Sequence, residues 1–463
     1  MTTINSVTTA LEALEHEDAG IRYHGAWWLG KHRVVEAIPQ LMQCLSDQRD
    51  QTASGGYPLR RQAARSLGMI KDSSCIPELF KTLETDDVQL HEATLRALIE
   101  IKSDQCAPSL ISYLDRDLHN KPIEALIEAL AEHEVWEVSE KIRPFLNSSS
   151  ERVASSAAAF FFSYTGEQPY LDQITSRLDH QNRFIRQSAA FDLARLGTTK
   201  AAVPILNSKI PNNVKMFAIK SILESAIQQP RKTTDEPLSI EANSVQVSLF
   251  NALDNLAREN FAGNLLIDQE EKSVKTSSSN SSITNDEILI NAFQKLRSPS
   301  LAEREAGIKQ IVSGPENLHN DLSDLYFTES DQDIKMGLIK AMAEIKSTSY
   351  ITAFIDAIGA EIGNHCQGNI RRVAACALGD VDWKNKADST ELDTAFKKLE
   401  WTLHTPEDWG LRYSACLALE RINNADSVKI LLRAKAHESD TVVSTRLAMA
   451  LSIQTHSSNK IRA

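Results

Sequence analysis

Aliphatic and small residues recur along this chain at helical spacing, and alternating, strand-like runs are almost absent. One template repeats. A polar or acidic lead-in is followed by an aliphatic residue, often an Arg, then small and aliphatic residues closing on Leu or Leu-Gly. Its first-half copies run from Ile21-Arg22 to Leu29-Gly30, Leu59-Arg60 to Leu67-Gly68, Leu90 to Leu98 and Ile185-Arg186 to Leu193. It returns from Ile334-Lys335 to Met342, Ile370-Arg371 to Leu378-Gly379, Leu411-Arg412 to Leu419 and Val443 to Leu451. In every copy the outer anchors lie eight residues apart, about two helical turns, so both face one side. The pairs Ala63-Ala64, Ala189-Ala190 and Ala374-Ala375 put small side chains where neighbouring helices can approach closely.

A second helix follows the first in each unit, marked by a proline in Ala37-Ile38-Pro39, Cys75-Ile76-Pro77, Cys106-Ala107-Pro108 and Val203-Pro204. Proline suits a helix start, where its missing N–H would have no intrahelical partner. A helix pair every roughly 30 to 40 residues is the period of HEAT-type repeats. The expected fold is therefore all-α, a HEAT-like helical-repeat solenoid. The pattern breaks once, at a polar stretch after Gln228 and a Ser-rich run over 272–282, which cannot bury enough apolar surface to fold. Between them, residues 248–267 carry a helical period and read as a cap on the first array. The expected organisation is a first array over 1–269, a flexible linker over 270–285 and a second array over 286–463.

Charge narrows the function. A formal net charge of −12 offers no basic excess for phosphates and argues against a nucleic-acid partner. The six cysteines are scattered without CxxC pairs, which fits a reducing cytoplasm and gives no zinc-ligand spacing, so no metal is expected. No apolar stretch approaches a membrane span and the first residues do not read as a signal peptide. A soluble cytoplasmic protein with no membrane partner is the expectation. No GxSxG, P-loop, dinucleotide fingerprint or HExxH occurs.

Three segments carry side chains beyond what a scaffold needs. The first array opens with Tyr23, His24, Trp27, Trp28, Lys31, His32 and Arg33 within one repeat, holding two of the chain's six tryptophans. Tyr23 and Trp27, His24 and Trp28, and Trp27 and Lys31 are each one turn apart on a helix. Aromatic faces with cations suit a flat, conjugated, negatively charged ligand. The structural alternative is that the tryptophans, Trp28 above all, shield the open end of the core. The second array echoes the motif in Asp408-Trp409-Gly410-Leu411-Arg412-Tyr413. Trp409 and Asp408 at the helix start are ligand candidates, and Asp408 also reads as an ordinary helix N-terminal acid. The template arginines Arg22, Arg186 and Arg371 read as structural, joining an Asp ladder between repeats.

The third segment is Asn364-His365-Cys366-Gln367-Gly368-Asn369, directly before the helix that Ile370 begins. A general acid/base beside a soft nucleophile is a chemical pair. Such neighbours also arise by chance. A helix N-terminal end favours a thiolate at Cys366. The other cysteines read as small core fillers: 44, 75 and 106 at or near starts of second helices, 376 and 416 inside first helices.

On these residues the whole chain except the linker resembles the E/F-type phycobilin lyases, HEAT-like proteins that attach open-chain tetrapyrroles to phycobiliprotein cysteines. The run at 22–31 is similar to the E-type signature. The segment from about 286 is similar to the F-type partner. The run 364–369 resembles the motif of members that isomerise the bilin as well as attach it. The resemblance implies attachment of phycoerythrobilin, a substrate rather than a cofactor, through a thioether to an apo phycobiliprotein α subunit, that of R-phycocyanin, with isomerisation to phycourobilin. It places proton transfer on His365 and Cys366. It assigns bilin contacts to Tyr23, His24, Trp27, Trp28, Lys31, Arg33, Asp408, Trp409 and Arg412. The alternatives are a lyase without isomerisation, a lyase-isomerase for phycocyanobilin, and a non-catalytic HEAT scaffold or chaperone for phycobiliprotein subunits. A thiol hydrolase is a distant alternative, because no third residue is identifiable to orient the histidine.

Overall fold

The structure, a computed structural model, describes residues 4–49, 51–53, 55–228, 240–258, 284–359, 368–383, 390–404 and 408–462. Among these there is no β-strand, and the helical-repeat fold read from the periodicity is the one observed. The chain forms two compact units, Met1–Leu196 and Gly197–Ala463.

The first unit runs α1 (Val7–Ala13), α2 (Ala19–Lys31), α3 (Ile38–Cys44), α4 (Pro58–Ile70), α5 (Ile76–Thr82), α6 (Val88–Ile101), α7 (Ala107–Asp115), α8 (Ile123–Glu132), α9 (Ser139–Ile142), α10 (Glu151–Thr165), α11 (Gln168–Thr175) and α12 (Arg183–Leu196). The longer first helices α2, α4, α6, α8, α10 and α12 pack in sequence, each on the next. The second helices begin as the proline pattern predicts. A short 3-10 turn feeds α3, α5 and α7, with Pro39, Pro77 and Pro108 in the first turn. The template anchors Leu29, Leu59, Leu67, Leu90 and Leu98 are all buried in one continuous core.

The closing glycine of the template has a packing reason. A Cβ on Gly30 would lie 2.6 Å from Ser66 Cα on the next first helix, and one on Gly379 would lie 2.4 Å from Ala418 Cα. The helices touch backbone to backbone there, so an added methyl must push them apart. Gly30→Ala is expected to destabilise the first unit by about 1–3 kcal/mol. Urea denaturation followed by circular dichroism would read this as a lowered midpoint.

The template arginines are structural, and Arg22 also acts electrostatically on Asp47, just after the second helix of its own repeat. They clamp carbonyls ahead of their own helix, turn carbonyls for Arg22 and Arg186 and the last carbonyl of the preceding helix for Arg371. Arg22 Nη1 donates to the Glu17 carbonyl at 2.7 Å and to that of His16. Arg186 Nη1 donates to His180 and Gln181 at 2.7 and 2.9 Å. Arg371 Nε donates to the Ile358 carbonyl at 2.7 Å. Where the template lacks Arg, His91 takes its place, with Nε2 2.8 Å from the Thr85 carbonyl. Bonds of this kind satisfy turn carbonyls that packing would otherwise strip of water.

The second unit begins with α13 (Ala202–Asn207), α14 (Asn212–Gln228) and α15 (Ile240–Ala257). It continues with α16 (Asn285–Leu296), α17 (Leu301–Val312), α18 (Glu316–Thr328), α19 (Gln332–Ile345), α20 (Ile351–Ile358) and α21 (Gly368–Asp380). It ends with α22 (Thr390–Leu403), α23 (Trp409–Ile422), α24 (Ala425–His437) and α25 (Thr441–Arg462). The first helices α17, α19, α21, α23 and α25 again stack consecutively. Helices α13 to α15, which the repeat pattern assigns to the first array, group by contacts with this unit. Helix α15, expected as a cap on the first array, packs on α14 and α23. Its Asp254 accepts from Tyr413 Oη at 2.6 Å and from Arg446 Nε and Nη2 at 3.1 and 3.0 Å. Arg446 also binds Glu420, 2.9 Å from Nη1 to Oε1. A buried guanidinium between two carboxylates anchors α15 where side chains around it would otherwise leave charge unpaired. Residues 259–283, including most of the expected linker, lie outside the described residues. No described helix is long and apolar enough to cross a membrane.

Candidate functional site

In the first unit the candidate side chains lie on and just beyond α2. Asp18 caps this helix, its Oδ1 accepting from the Ile21 N–H at 3.0 Å. His24, Trp27 and Trp28 face an open cleft of about 440 Å³, with Asp18, Gly20 and Ile21 from the helix start and Ile4 from the preceding segment. The His24 ring meets Trp27 edge-on at 6.4 Å between centroids, and Tyr23 meets His24 in the same way at 6.1 Å. Lys31 holds its ammonium 4.7 Å from the centre of the Trp27 ring, so the cation sits on an aromatic face as the spacing predicts. Trp28 packs against the core and also lines the cleft.

Besides Lys31 over the Trp27 ring, two further candidates stand apart from the cleft lining. Tyr23 is half-buried and reaches it only through His24. Arg33 falls beyond the helix, exposed, with φ 51, its N–H donating to the Gly30 carbonyl at 3.0 Å. His32, which the resemblance does not assign as a bilin contact, packs its ring tilted against Trp28 at 4.0 Å between centroids. The four-residue spacing from Trp28 carries that signal.

In the second unit, Asp408 is the N-cap of α23. Its Oδ1 accepts from the Leu411 N–H at 3.0 Å and from Arg372 Nη2 at 3.1 Å. The ordinary reading of this acid is thus the one its contacts describe. Trp409 is half-buried and meets Tyr413 edge-on at 6.4 Å. The Lys220 ammonium stands 5.2 Å from the Trp409 ring centre while ion-paired to Asp440 at 3.0 Å. Nothing in the local sequence announces Lys220, which comes from α14. Arg412 is buried and held by Glu438 in a forked pair, 2.8 Å from Nε and 3.1 Å from Nη2. A guanidinium so engaged serves first to join α23 to the turn after α24.

His365 and Cys366 lie outside the described residues. The other five cysteines are all buried. Cys44 ends its second helix rather than starting it, whereas Cys75 and Cys106 immediately precede theirs. Burial pushes the thiols of Cys75 and Cys106 up to about 11, and those of Cys44, Cys376 and Cys416 up to about 12. These five are protonated at neutral pH and shielded, and have the character of core residues rather than nucleophiles.

Family profiles match within the first unit: one described as HEAT repeats over residues 53–131, and one described as PBS lyase HEAT-like repeat over 21–47. The second covers α2 and its aromatic cluster. Among curated relatives, the bilin biosynthesis protein PecE of Mastigocladus laminosus is 40% identical over 257 residues, 55% of this chain and 95% of that protein. The phycocyanobilin lyase subunit alpha of a Nostoc strain is 34% identical over 260 residues, 53% of this chain and 92% of that protein. Among solved structures, the complex of CpcE and CpcF of phycocyanin lyase from Nostoc aligns at 32% identity. That alignment covers 55% of this chain and 96% of the matched one, with a TM-score of 0.48. With relatives matched at this identity over nearly their full length, this chain belongs to the E/F-type phycobilin lyase family.

Proposed function

We propose that this chain attaches an open-chain tetrapyrrole to a cysteine of a phycobiliprotein α subunit and isomerises it, converting phycoerythrobilin to phycourobilin. The observation that carries the bilin reading is the α2 cleft: two indoles and an imidazole along an open groove, with a lysine lying over one of the rings. Such a surface stacks on a long conjugated system, and the Asp18 carboxylate at its mouth offers an acceptor to pyrrole N–H groups. Tyr23, Arg33, Trp409 and Arg412 are proposed as further bilin contacts, as is Asp408.

Thioether formation adds the acceptor thiolate to the ethylidene carbon of ring A. The ethylidene π pair moves onto C3, which takes up a proton. Isomerisation then moves a double bond from C4–C5 to C2–C3 by two allylic shifts: a proton adds at C5 as one leaves C3, and one adds at C4 as one leaves C2. No oxidant or reductant is consumed. The proton transfers fall to His365 and Cys366, a pair able to give and take a proton at neutral pH. Names of the relatives speak of bilin biosynthesis and of phycocyanobilin lyase, which supports the attachment step. The isomerisation rests on the 364–369 run.

The test is co-expression with a phycocyanin α subunit and a phycoerythrobilin-producing pathway, followed by the absorption spectrum of the purified, denatured subunit. A blue-green phycourobilin band is the expected result, because isomerisation shortens the conjugation. A green-yellow phycoerythrobilin band would reduce the function to ligation. A colourless subunit would replace it with a scaffold.

A further inference from the structure

The second unit contains a cavity of about 300 Å³. Its walls come from the end of α15 and from α17, α19 and α21. Three cations converge on it: Arg258, immediately after α15, Lys340 on α19, and Lys346, which terminates α19 with a left-handed φ of 61. Its floor is apolar, built from Ile308, Val373 and the Cys376 side chain. Two carboxylates share the lining, Glu344 and Asp380, and the second is held by Arg421 at 3.3 Å. Among the described residues no side-chain hydrogen bond or ion pair engages Arg258 or Lys346. In a chain of net charge −12, a cavity with more cations than carboxylates runs against the average.

Cations around an apolar floor fit a ligand whose hydrocarbon body carries carboxylates. Phosphates and nucleotides would leave the floor unused. A volume of about 300 Å³ admits one end of a long ligand, at the lower limit of roughly 300–1,000 Å³ for whole small-molecule pockets. The buried thiol on the floor is no attachment point: Cys376 is 4% exposed, with its pKa pushed up to about 12. The cavity binds without bonding.

Resting on the bilin reading above, we infer that this cavity of the second unit receives the propionate edge of the open-chain tetrapyrrole, with Arg258 and Lys346 as its principal carboxylate partners and Lys340 beside them. The two propionates project from the central rings, so a bilin held there leaves ring A, the reacting end, outside the cavity. Neither cation is one the α2 cleft provides, and each site answers to its own variants.

The experiment titrates the purified full chain with phycoerythrobilin and, separately, with its dimethyl ester, following the bilin's induced circular dichroism. The unmodified chain should bind the free acid at least about tenfold more tightly than the ester. Arg258→Gln and Lys346→Gln should each weaken the acid about five- to tenfold and leave the ester unchanged, in the range for a partly desolvated ion pair. Both positions lie at helix ends, and far-UV circular dichroism verifies that the variants are folded. The ester comparison needs no variant at all. Equal binding of acid and ester, or variants that hold the acid as tightly as the unmodified chain, would overturn the cavity assignment and leave the bilin reading standing. Binding of neither ligand would overturn both.

Discussion

Cys366→Ala is expected to give an acceptor subunit that carries attached phycoerythrobilin and no phycourobilin. The attachment step uses the acceptor's own thiolate, so it should survive. Isomerisation needs protons delivered to C5 and C4 and taken from C3 and C2, and removing a positioned acid or base usually costs about 10²–10⁴ in rate. His365→Ala should give the same phenotype, since the two side chains serve one transfer. The control is inside the molecule. Cys44 and Cys416 are equally cysteines but are buried, with thiols pushed up to about 12, so Cys44→Ala and Cys416→Ala should leave product colour unchanged. The readout is the ratio of the two bilin bands in the denatured subunit after co-expression. A Cys366→Ala protein that produces the phycourobilin band at the unmodified rate would remove the His-Cys run from the mechanism.

The second large effect is structural. Arg446 is 4% exposed and lies between Asp254 on α15 and Glu420 on α23, with the Tyr413 hydroxyl also on Asp254. Arg446→Met fills much the same volume but leaves two carboxylates partly buried without their cation. Breaking one partner of a buried ion cluster costs about 3–5 kcal/mol, far beyond an ordinary single substitution. Chemical denaturation should show the second unit's transition at a markedly lower midpoint. Arg446→Lys should recover only part of the loss, because an ammonium cannot present two parallel N–H pairs to one carboxylate while still reaching the other. Adding Asp254→Asn to Arg446→Met should cost less than the sum of the two single changes, since the second substitution removes a charge the first stranded. Additive costs would mean that the guanidinium contributes nothing to holding α15.

How far each feature can be read from sequence follows from its range. The eight-residue anchor spacing placed Leu29, Leu67 and Leu98 in the core, and the proline marks placed the second helices, because both act within two turns of one helix. The same holds for Lys31 over Trp27, an i to i+4 contact on a single helix, and would have held for His32 on Trp28. The arginines are a mixed case. Their structural character was legible, yet their partners were not: Arg22 and Arg186 reach back to turn carbonyls, while Arg412 crosses to Glu438. A side chain of that length can reach several acceptors, and neighbouring repeats decide which one.

The sequence by itself determined the helical repeat, the two aromatic helix starts and the His-Cys run with its company, because periodicity and short spacings are properties of consecutive residues. Only the tertiary structure decided that α13 to α15 group with the C-terminal repeats, that Lys220 stands over Trp409, and that Arg258 meets Lys346 around one cavity. Those pairs are separated by tens to hundreds of residues. Their meeting depends on which helix faces find each other once the apolar stripes are buried, a choice that the local pattern of a repeat protein, nearly identical from one helix to the next, does not encode.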